Sequence, residues 1–249
     1  MRDAAADLEA LWQRAPAASR SFVPQDVGHL PELARSYLAH AIAPGTPLAS
    51  AVRLRMHGSI RLKRWRRFKA VQVITREGSM MWRASVRMKG ASIRGYDTFV
   101  GGQGAMQWRL FGIIPVIRES GPDITRSVAN RVAAESVWLP SMLVDDAVRW
   151  RDEAPNGTHA SVSIGAYPSH LKMTLDHGRL IALALSRWGN PDGGAFGEWP
   201  FGAYVDQEAT FDGYTIPARL RVGWHFDDPA RFDAEGKFFE VAIDSATYR

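Results

Sequence analysis

Three residues of one predicted helix have the types and spacing that acid–base chemistry requires. Arg131, Glu135 and Trp138 are four and three positions apart, so their side chains share one helical face. If that face packs on a sheet, the Glu135 carboxylate is buried beside a cation and a ring. A buried carboxylate must be paired or must change its pKa, and both outcomes are typical of functional sites. The alternative, which we favour, is a structural Arg131–Glu135 ion pair.

A second group of candidates lies on adjacent predicted strands, where alternation can place several side chains on one concave face. Its members are Trp82, Tyr96, Asp97, Met106 and Trp108. In an enzyme, Glu135 would be the general acid or base and Asp97 or Tyr96 its assistant, in a cavity that excludes water. In a binding protein, the same aromatic residues would instead form the wall of a ligand cavity.

A third group alternates along one later strand. Tyr204, Asp206 and Glu208 are two positions apart, which puts two carboxylates on one face, with Arg219 and Arg221 expected opposite. If the carboxylates face inward, they could act as general acids or bases. If they face outward, they are cross-strand partners for arginine, and we favour that interpretation.

The remaining motifs indicate no metal and no cofactor. The chain has no cysteine, which excludes disulfides, thiolate nucleophiles and cysteine-ligated metals. The seven histidines are scattered, with none at the i, i+2 or i, i+4 spacing of a metal site. Gly101-Gly102-Gln103-Gly104 has no helix after it, so it predicts a hairpin turn rather than a phosphate-binding loop.

The spacing of apolar residues changes near residue 50, from the 3.6-residue period of helices to the two-residue period of strands. Amphipathic spacing predicts helices over 5–14 and 30–38, so residues 1–50 form an N-terminal helical segment that packs on a sheet. A third helix is predicted over 125–136 with a Ser or Thr N-cap. We expect 51–249 to be a single β-rich domain, because no repeat or linker divides it.

Alternation of apolar and polar residues predicts the strands. Val52, Leu54 and Met56 alternate with arginines and a histidine, and similar patterns separated by glycine turns continue along the chain. The predicted class is mainly β (α+β), a curved antiparallel sheet or half-barrel wrapped around one or two helices. The expected strands are 51–63, 68–75, 80–88, 91–100, 103–111, 147–150, 158–166, 170–176, 179–188, 203–211, 215–225 and 237–247. The loop 189–202, which is rich in glycine, is expected to act as a lid over the cavity.

Charge is distributed unevenly along the chain. The net charge is +5, and the stretch from Arg53 to Arg76 holds nine basic residues and no acid. Because most of its members alternate with apolar residues, we expect the solvated face of a sheet. Peripheral contact with an anionic membrane is a possible use of this stretch, and we expect no nucleic-acid partner.

The termini and hydropathy bear on location. The first nine residues carry acids and no apolar core, unlike a signal peptide, and no run reaches the 18 or so apolar residues of a membrane span. We therefore expect a soluble, cytoplasmic protein, with a periplasmic location as the alternative. The oligomeric state is left open.

Two resemblances to known families follow from particular runs. The runs Gly95-Tyr96-Asp97, Gly102-x-Gly104-x-Met106 and Ala134-Glu135-Ser136-Val137-Trp138-Leu139-Pro140 resemble an uncharacterised bacterial family known as a domain of unknown function. That family brings no assigned reaction. More loosely, the run from Asp212 to Arg219 is similar to the lipoprotein-localisation (LolA/LolB-like) half-barrel. This second resemblance implies a curved sheet around helices that holds acyl chains in an apolar cavity.

Two function classes follow. The first is a binding protein for a hydrophobic small molecule or lipid. The ligand-binding residues expected for it are Trp82, Tyr96, Met106, Trp108, Arg131, Trp138, Tyr204, Arg221 and Trp224. The second is an isomerase, cyclase or hydrolase acting on an apolar substrate in the same cavity, with Glu135 as its acid or base.

Overall fold

The structure is a computed structural model that describes residues 4–249, with side chains from residue 7 onward. Its main helices are α1 (Ala4–Arg14), α2 (Glu32–Ala41) and α3 (Pro122–Glu135). Thirteen strands are described: β1 (Ala51–Leu62), β2 (Arg64–Thr75), β3 (Met80–Met88), β4 (Ala91–Val100), β5 (Gln103–Leu110), β6 (Ile114–Ser120), β7 (Arg149–Glu153), β8 (Gly157–Ile164), β9 (Tyr167–Asp176), β10 (Arg179–Gly189), β11 (Gly197–Phe211), β12 (Tyr214–Trp224) and β13 (Lys237–Tyr248).

All these strands belong to one antiparallel sheet in the order β6-β5-β4-β3-β2-β1-β13-β12-β11-β10-β9-β8-β7. Each half is a meander of neighbouring hairpins, and the pairing of β1 with β13 joins the halves. The edges are β6 and β7, and the chain crosses from one edge to the other through α3. The expected fold class, a mainly β structure built on one curved antiparallel sheet, is confirmed.

The alternation read from the sequence appears directly in burial. On β1, Val52, Leu54 and Met56 are buried, whereas Arg55 and His57 are exposed. Most of the basic residues from Arg53 to Arg76 follow the same rule on β1 and β2. The solvated-face interpretation of this stretch therefore agrees with the structure.

The helices pack on opposite faces of the sheet. α2 and α3 share the main core with the concave face, through residues such as Leu38 and Val132. α1 lies on the outer face, where Leu8 and Trp12 pack against Val73 and its neighbours. The N-terminal helices thus pack on the sheet as expected, while a domain boundary at residue 50 stays a prediction.

One strand was not predicted, and several predicted elements begin at other residues. β6 was missed, because every one of its residues is exposed and its apolar residues do not alternate with polar ones. α3 begins at Pro122 rather than residue 125, and its N-cap is Gly121 at φ 111° rather than a serine or threonine. β11 begins at Gly197, so half of the expected loop 189–202 is strand.

Candidate functional site

A hollow of about 430 Å³ lies between the concave face of the sheet and α3. Its wall includes Trp108 from β5, Leu220 from β12, and Arg131 from α3. Because strands far apart in the sheet order face one space, the sheet must curve around it. The volume falls within the roughly 300–1,000 Å³ that is usual for small-molecule sites.

Aromatic rings line this hollow in two clusters. Trp82 and Trp108 have ring centroids 5.6 Å apart, and Phe239 lies 6.2 Å from Trp82. On the other half of the sheet, Phe201 and Trp224 are 5.0 Å apart with nearly perpendicular rings. Six of the nine predicted ligand-binding residues line the hollow: Trp82, Met106, Trp108, Arg131, Trp138 and Trp224. Their role in binding stays a prediction.

One charged cluster interrupts the apolar wall. Arg131 donates from Nη1 to Asp97 Oδ2 at 2.8 Å and from Nε to Glu135 Oε1 at 2.8 Å. Trp108 Nε1 donates to the other oxygen of Asp97 at 3.1 Å, and Gln72 Nε2 donates to Glu135 Oε2 at 2.6 Å. The guanidinium of Arg131 also lies 4.9 Å from the Trp82 ring centroid. Each carboxylate oxygen therefore has a donor, the arrangement that the structural ion-pair interpretation predicts.

Burial and pairing act against each other in this cluster. Burial raises the pKa of Asp97, and Arg131 and the Trp108 indole offset part of that rise. Burial alone would lower the pKa of Arg131, but Glu135 and Asp97 reverse the effect, so the pKa of Arg131 is raised. Arg131 is therefore a permanent cation that forms an ion pair with each of its two acidic neighbours.

Arg187 is a second cation on the wall of the hollow, and the sequence analysis missed it. Its guanidinium lies 4.5 Å from the Phe201 ring and 5.1 Å from the Trp224 ring. A signal was available in the alternation of β10, because Leu183, Leu185 and Arg187 fall on the same face of that strand. An arginine that continues an inward apolar row is unusual and marks a polar point in an apolar wall.

Three predicted ligand-binding residues lie outside the hollow. Tyr96 packs beside α1 on the outer face and donates to Gln107, so it is not placed to assist Glu135. Tyr204 contacts Phe226 and Phe232, and Arg221 lies over its ring at 5.2 Å. The expectation that these side chains line the cavity is wrong, because each follows or precedes an inward-facing residue on its strand.

The carboxylates of β11 do not meet in the hollow either. Asp206 of β11 forms an ion pair at 3.0 Å with Arg221 of the neighbouring strand β12. This is the cross-strand pairing that the favoured interpretation predicts. Glu208 contacts His40 of α2 at 2.9 Å and Arg179 at 3.4 Å. A bulge between Val205 and Glu208 interrupts the strict alternation and gives the two carboxylates different partners.

Two of the five glycines in the expected lid, Gly189 and Gly202, are fixed by packing. A Cβ on Gly189 would collide with the Trp224 ring, and one on Gly202 would come 2.5 Å from the Phe226 ring. These two glycines therefore make room for aromatic rings. The part of the expected lid that is not strand is the segment 190–196. A lid movement there stays a prediction.

A wider depression of about 790 Å³ lies on the outer face. Its rim carries Arg55, Lys69, Arg83 and Arg94, with Asp244 paired to a histidine beside them. This depression is the solvated basic face that alternation predicts, and it contains no enclosed apolar wall.

Residues 4–249 contain no group of three or more histidine, aspartate or glutamate side chains arranged to bind a metal ion. None of their helices is both long enough and apolar enough to cross a membrane. The expectation of no metal and no cofactor stays a prediction.

Comparison with known proteins gives a family and two similar structures. A family of unknown function, DUF6544, matches residues 20–233. The chain belongs to this family. No curated protein matches the chain. The expected membership of a domain-of-unknown-function family is therefore confirmed.

The two structures were solved for bacterial proteins. A "putative outer membrane lipoprotein-sorting protein domain" from Vibrio parahaemolyticus has 9% identity and a TM-score of 0.42, over 80% of this chain and 86% of that one. A LolA superfamily protein from Nitrosomonas europaea has 8% identity and a TM-score of 0.42, over 87% and 92%. The loose similarity to LolA-like proteins that the sequence predicts is confirmed.

The glycines of the runs that resemble the family have packing roles around the hollow. A Cβ on Gly95 would come 2.5 Å from the Trp108 ring, so glycine lets that indole lie flat on β4. A Cβ on Gly104 would come 2.7 Å from Thr125 Cα, so glycine lets β5 approach α3. Trp138 then fixes the end of α3, because its Nε1 donates to Pro217 O on β12 at 3.0 Å.

Proposed function

We propose that this DUF6544 protein binds a hydrophobic small molecule or an acyl chain of a lipid in the hollow. The observation that carries the proposal is the open hollow of about 430 Å³, with apolar and aromatic side chains over most of its wall. An apolar ligand there needs no catalytic group, because each Å² of apolar surface that leaves water contributes roughly 25 cal/mol.

The geometry gives the enzyme alternative no specific support. Glu135 accepts hydrogen bonds from Arg131 and Gln72 on both oxygens, so neither oxygen is turned to a substrate. Tyr96, one of its two expected assistants, lies on the other face of the sheet. We therefore propose the binding function alone.

Filling the hollow tests the proposal. Ala203 lines it and is buried, so Ala203→Phe places a ring in the space. We expect the native protein to bind the neutral fluorescent probe N-phenyl-1-naphthylamine, and Ala203→Phe to bind it at least about tenfold more weakly. Ala230→Phe is the control, because Ala230 is exposed and outside the hollow. If the native protein does not bind the probe, or if Ala203→Phe binds it equally well, the proposal is wrong.

We also propose that the end of the sheet where the hollow opens contacts an anionic membrane. Leu62, Val116 and Ile117 both line the hollow and are exposed, so they mark its mouth. Alternate hairpins of an antiparallel sheet turn at the same end, so the β1–β2, β3–β4 and β5–β6 turns lie together there. An apolar ligand could pass from a bilayer to the hollow at this end without crossing water.

The composition of these three turns supports an anionic lipid surface as the partner. Lys63 and Lys89 stand at the first two turns, and the third exposes Phe111, Ile113 and Ile114. Between residues 58 and 118 the only acids are Glu77, which lies at the opposite turns, and Asp97, which is buried against Arg131. Cationic side chains beside exposed apolar ones are the pattern of interfacial membrane binding.

Vesicle sedimentation tests the membrane proposal. We expect binding to vesicles that contain phosphatidylglycerol, weaker binding at high salt, and little binding to phosphatidylcholine alone. The double variant Ile113→Ser with Ile114→Ser should lose most of this binding. Ile181→Ser, an exposed isoleucine of β10, should keep it. Equal binding by both variants would contradict the proposal. The cytoplasmic location expected from the sequence likewise stays a prediction.

A further inference from the structure

Arg187 distinguishes this hollow from a purely apolar cavity. Its side chain is partly buried, and its Nε is buried without a hydrogen-bond partner. Among residues 4–249, no hydrogen bond or ion pair is found for this side chain. The indole Nε1 of Trp82, on the opposite wall, is likewise a buried donor without a partner.

Three acids line the hollow, and the two that act electrostatically on Arg187, Asp97 and Glu135, already have hydrogen-bond partners. Asp97 and Glu135 each bind Arg131 at 2.8 Å, and their other oxygens accept from Trp108 and Gln72. The three charges of that cluster leave a net single negative charge, which the positive charge of Arg187 balances only at a distance. Arg187 therefore has counter-charge in its surroundings and no acceptor in contact.

The charge of Arg187 persists despite burial. Burial, and then repulsion from Arg131, lower the pKa of Arg187 to about 10. The guanidinium is therefore still a cation at neutral pH. Because the buried Nε of this cation has no acceptor, an anion bound beside it would gain a charge-assisted hydrogen bond.

The orientation of the guanidinium leaves room for that anion. The rings of Phe201 and Trp224 contact it at 4.5 Å and 5.1 Å, and cation–π contacts use the flat face of a guanidinium. The N–H groups point along its edges, where a carboxylate or phosphate accepts two parallel hydrogen bonds. The stacking contacts and an anion thus use different parts of the same side chain.

We propose that the ligand of the hollow is an amphiphile with one terminal anionic group, bound by Arg187, and an apolar chain against the aromatic wall. This inference rests on the proposed binding function and names its substrate class. The shared chemistry of the headgroup is a carboxylate or phosphate. A free fatty acid and an alkyl phosphate are its two sources.

Four ligands of equal chain length test the headgroup on the native protein. Palmitate and hexadecyl phosphate carry the anion, whereas hexadecanol and methyl palmitate do not. Calorimetry below the critical micelle concentrations should give at least about tenfold tighter binding for the better anion than for either neutral ligand. The stronger of the two anions identifies the headgroup. Equal binding of all four overturns the inference and leaves the binding function standing. No binding of any of them overturns both.

A matched pair of variants assigns the effect to the residue. Arg187→Met keeps the volume and removes the charge, so we expect it to lose the preference for the anion and to keep its affinity for hexadecanol. Arg126→Met is the control, because Arg126 also stacks on an indole, that of Trp188 at 4.1 Å, but does not line the hollow. It should keep the native preference. An Arg187→Met protein that still prefers the anion would contradict the assignment.

The stability of the unliganded variant supplies a second readout. If Arg187 serves the ligand rather than the fold, Arg187→Met should melt at or above the temperature of the native protein, because an unpaired buried cation has been removed. Palmitate should raise the melting temperature of the native protein and not that of the variant. A large loss of melting temperature in Arg187→Met without ligand would assign it a structural role instead.

Discussion

The two buried arginines of the hollow have opposite states of pairing. Arg131 is saturated by two carboxylates and a ring, whereas Arg187 contacts rings alone. A saturated cation fixes the position of its neighbours and is not available to a ligand. Of the two, only Arg187 is therefore available to the ligand that we propose.

The role of Glu135 can be tested by removing its charge. In Glu135→Gln, the amide cannot accept from both Arg131 and Gln72, so a hydrogen bond to a charged group is lost. We expect the free energy of unfolding to fall by about 1–3 kcal/mol in urea titrations. Asp206→Asn is the control, because Asp206 forms an exposed ion pair with Arg221, and it should change stability by less than about 1 kcal/mol. Equal effects would mean that Glu135 has no structural role.

The pKa of Asp97 leads to a pH dependence with a defined sign. Burial raises this pKa above its unfolded value of 3.8, so the folded protein binds the proton more tightly. The stability that Asp97 contributes is present below that unfolded value and is lost as pH rises through the folded pKa. Asparagine does not titrate. The stability of Asp97→Asn relative to the native protein should therefore increase from about pH 3 to pH 7 in urea unfolding. A decrease would show that the folded state favours the anion.

At this scale the sequence predicted the helical face well and the strand faces less well. Spacing alone grouped Arg131, Glu135 and Trp138. Arg131 and Glu135 form an ion pair, and all three residues line the hollow. Tyr96 and Tyr204 were misplaced because alternation gives two faces without saying which is concave. Arg187 was missed because alternation predicts apolar residues on the inward face of β10, and an arginine at such a position is expected to face solvent.

Among the elements, the contact between β5 and α3 sets the depth of the hollow. Gly104 N donates to Thr125 Oγ1 at 3.0 Å, and Gly104 has no side chain to hold the helix away. Because α3 forms one wall, its distance from the strand determines the space that remains. A single methyl group at this point would displace the helix.

Gly104→Ala tests that dependence. We expect it to lower the free energy of unfolding by about 1–3 kcal/mol, because the added carbon overlaps the Thr125 backbone. It should also change the affinity for N-phenyl-1-naphthylamine. Gly194→Ala is the control, since a Cβ there meets nothing within 4 Å, and it should be neutral or slightly stabilising. A Gly104→Ala protein with native stability would mean that α3 is free to move.

The elements themselves were largely predictable where patterns were strong. The alternation of β1 and the spacing of α2 gave the right type and nearly the right bounds. β6 was not predictable in this way, because an edge strand exposed along its whole length carries no burial pattern. The start of β11 was obscured by glycines that accommodate the rings of Trp224 and Phe226 rather than breaking the strand.

For the whole molecule, one core joins both halves of the sheet to α2 and α3. We expect urea unfolding followed by far-UV circular dichroism and by tryptophan fluorescence to give superimposable transitions. The reason is that the indoles of the hollow belong to the same core as the strands. A fluorescence transition at lower urea would show that the hollow opens before the sheet unfolds.

The position of β13 has a consequence for synthesis. It is the last strand of the chain, yet it lies in the middle of the sheet between β1 and β12. During translation the strands β1–β6 and β7–β12 can form their hairpins first, but no strand pairing joins these two meanders until residues 237–248 have been synthesised. A nascent chain that stops short of residue 237 therefore presents two bare strand edges, which are templates for pairing with other chains. We therefore expect chaperone protection to matter most before residues 237–248 can pair with β1 and β12.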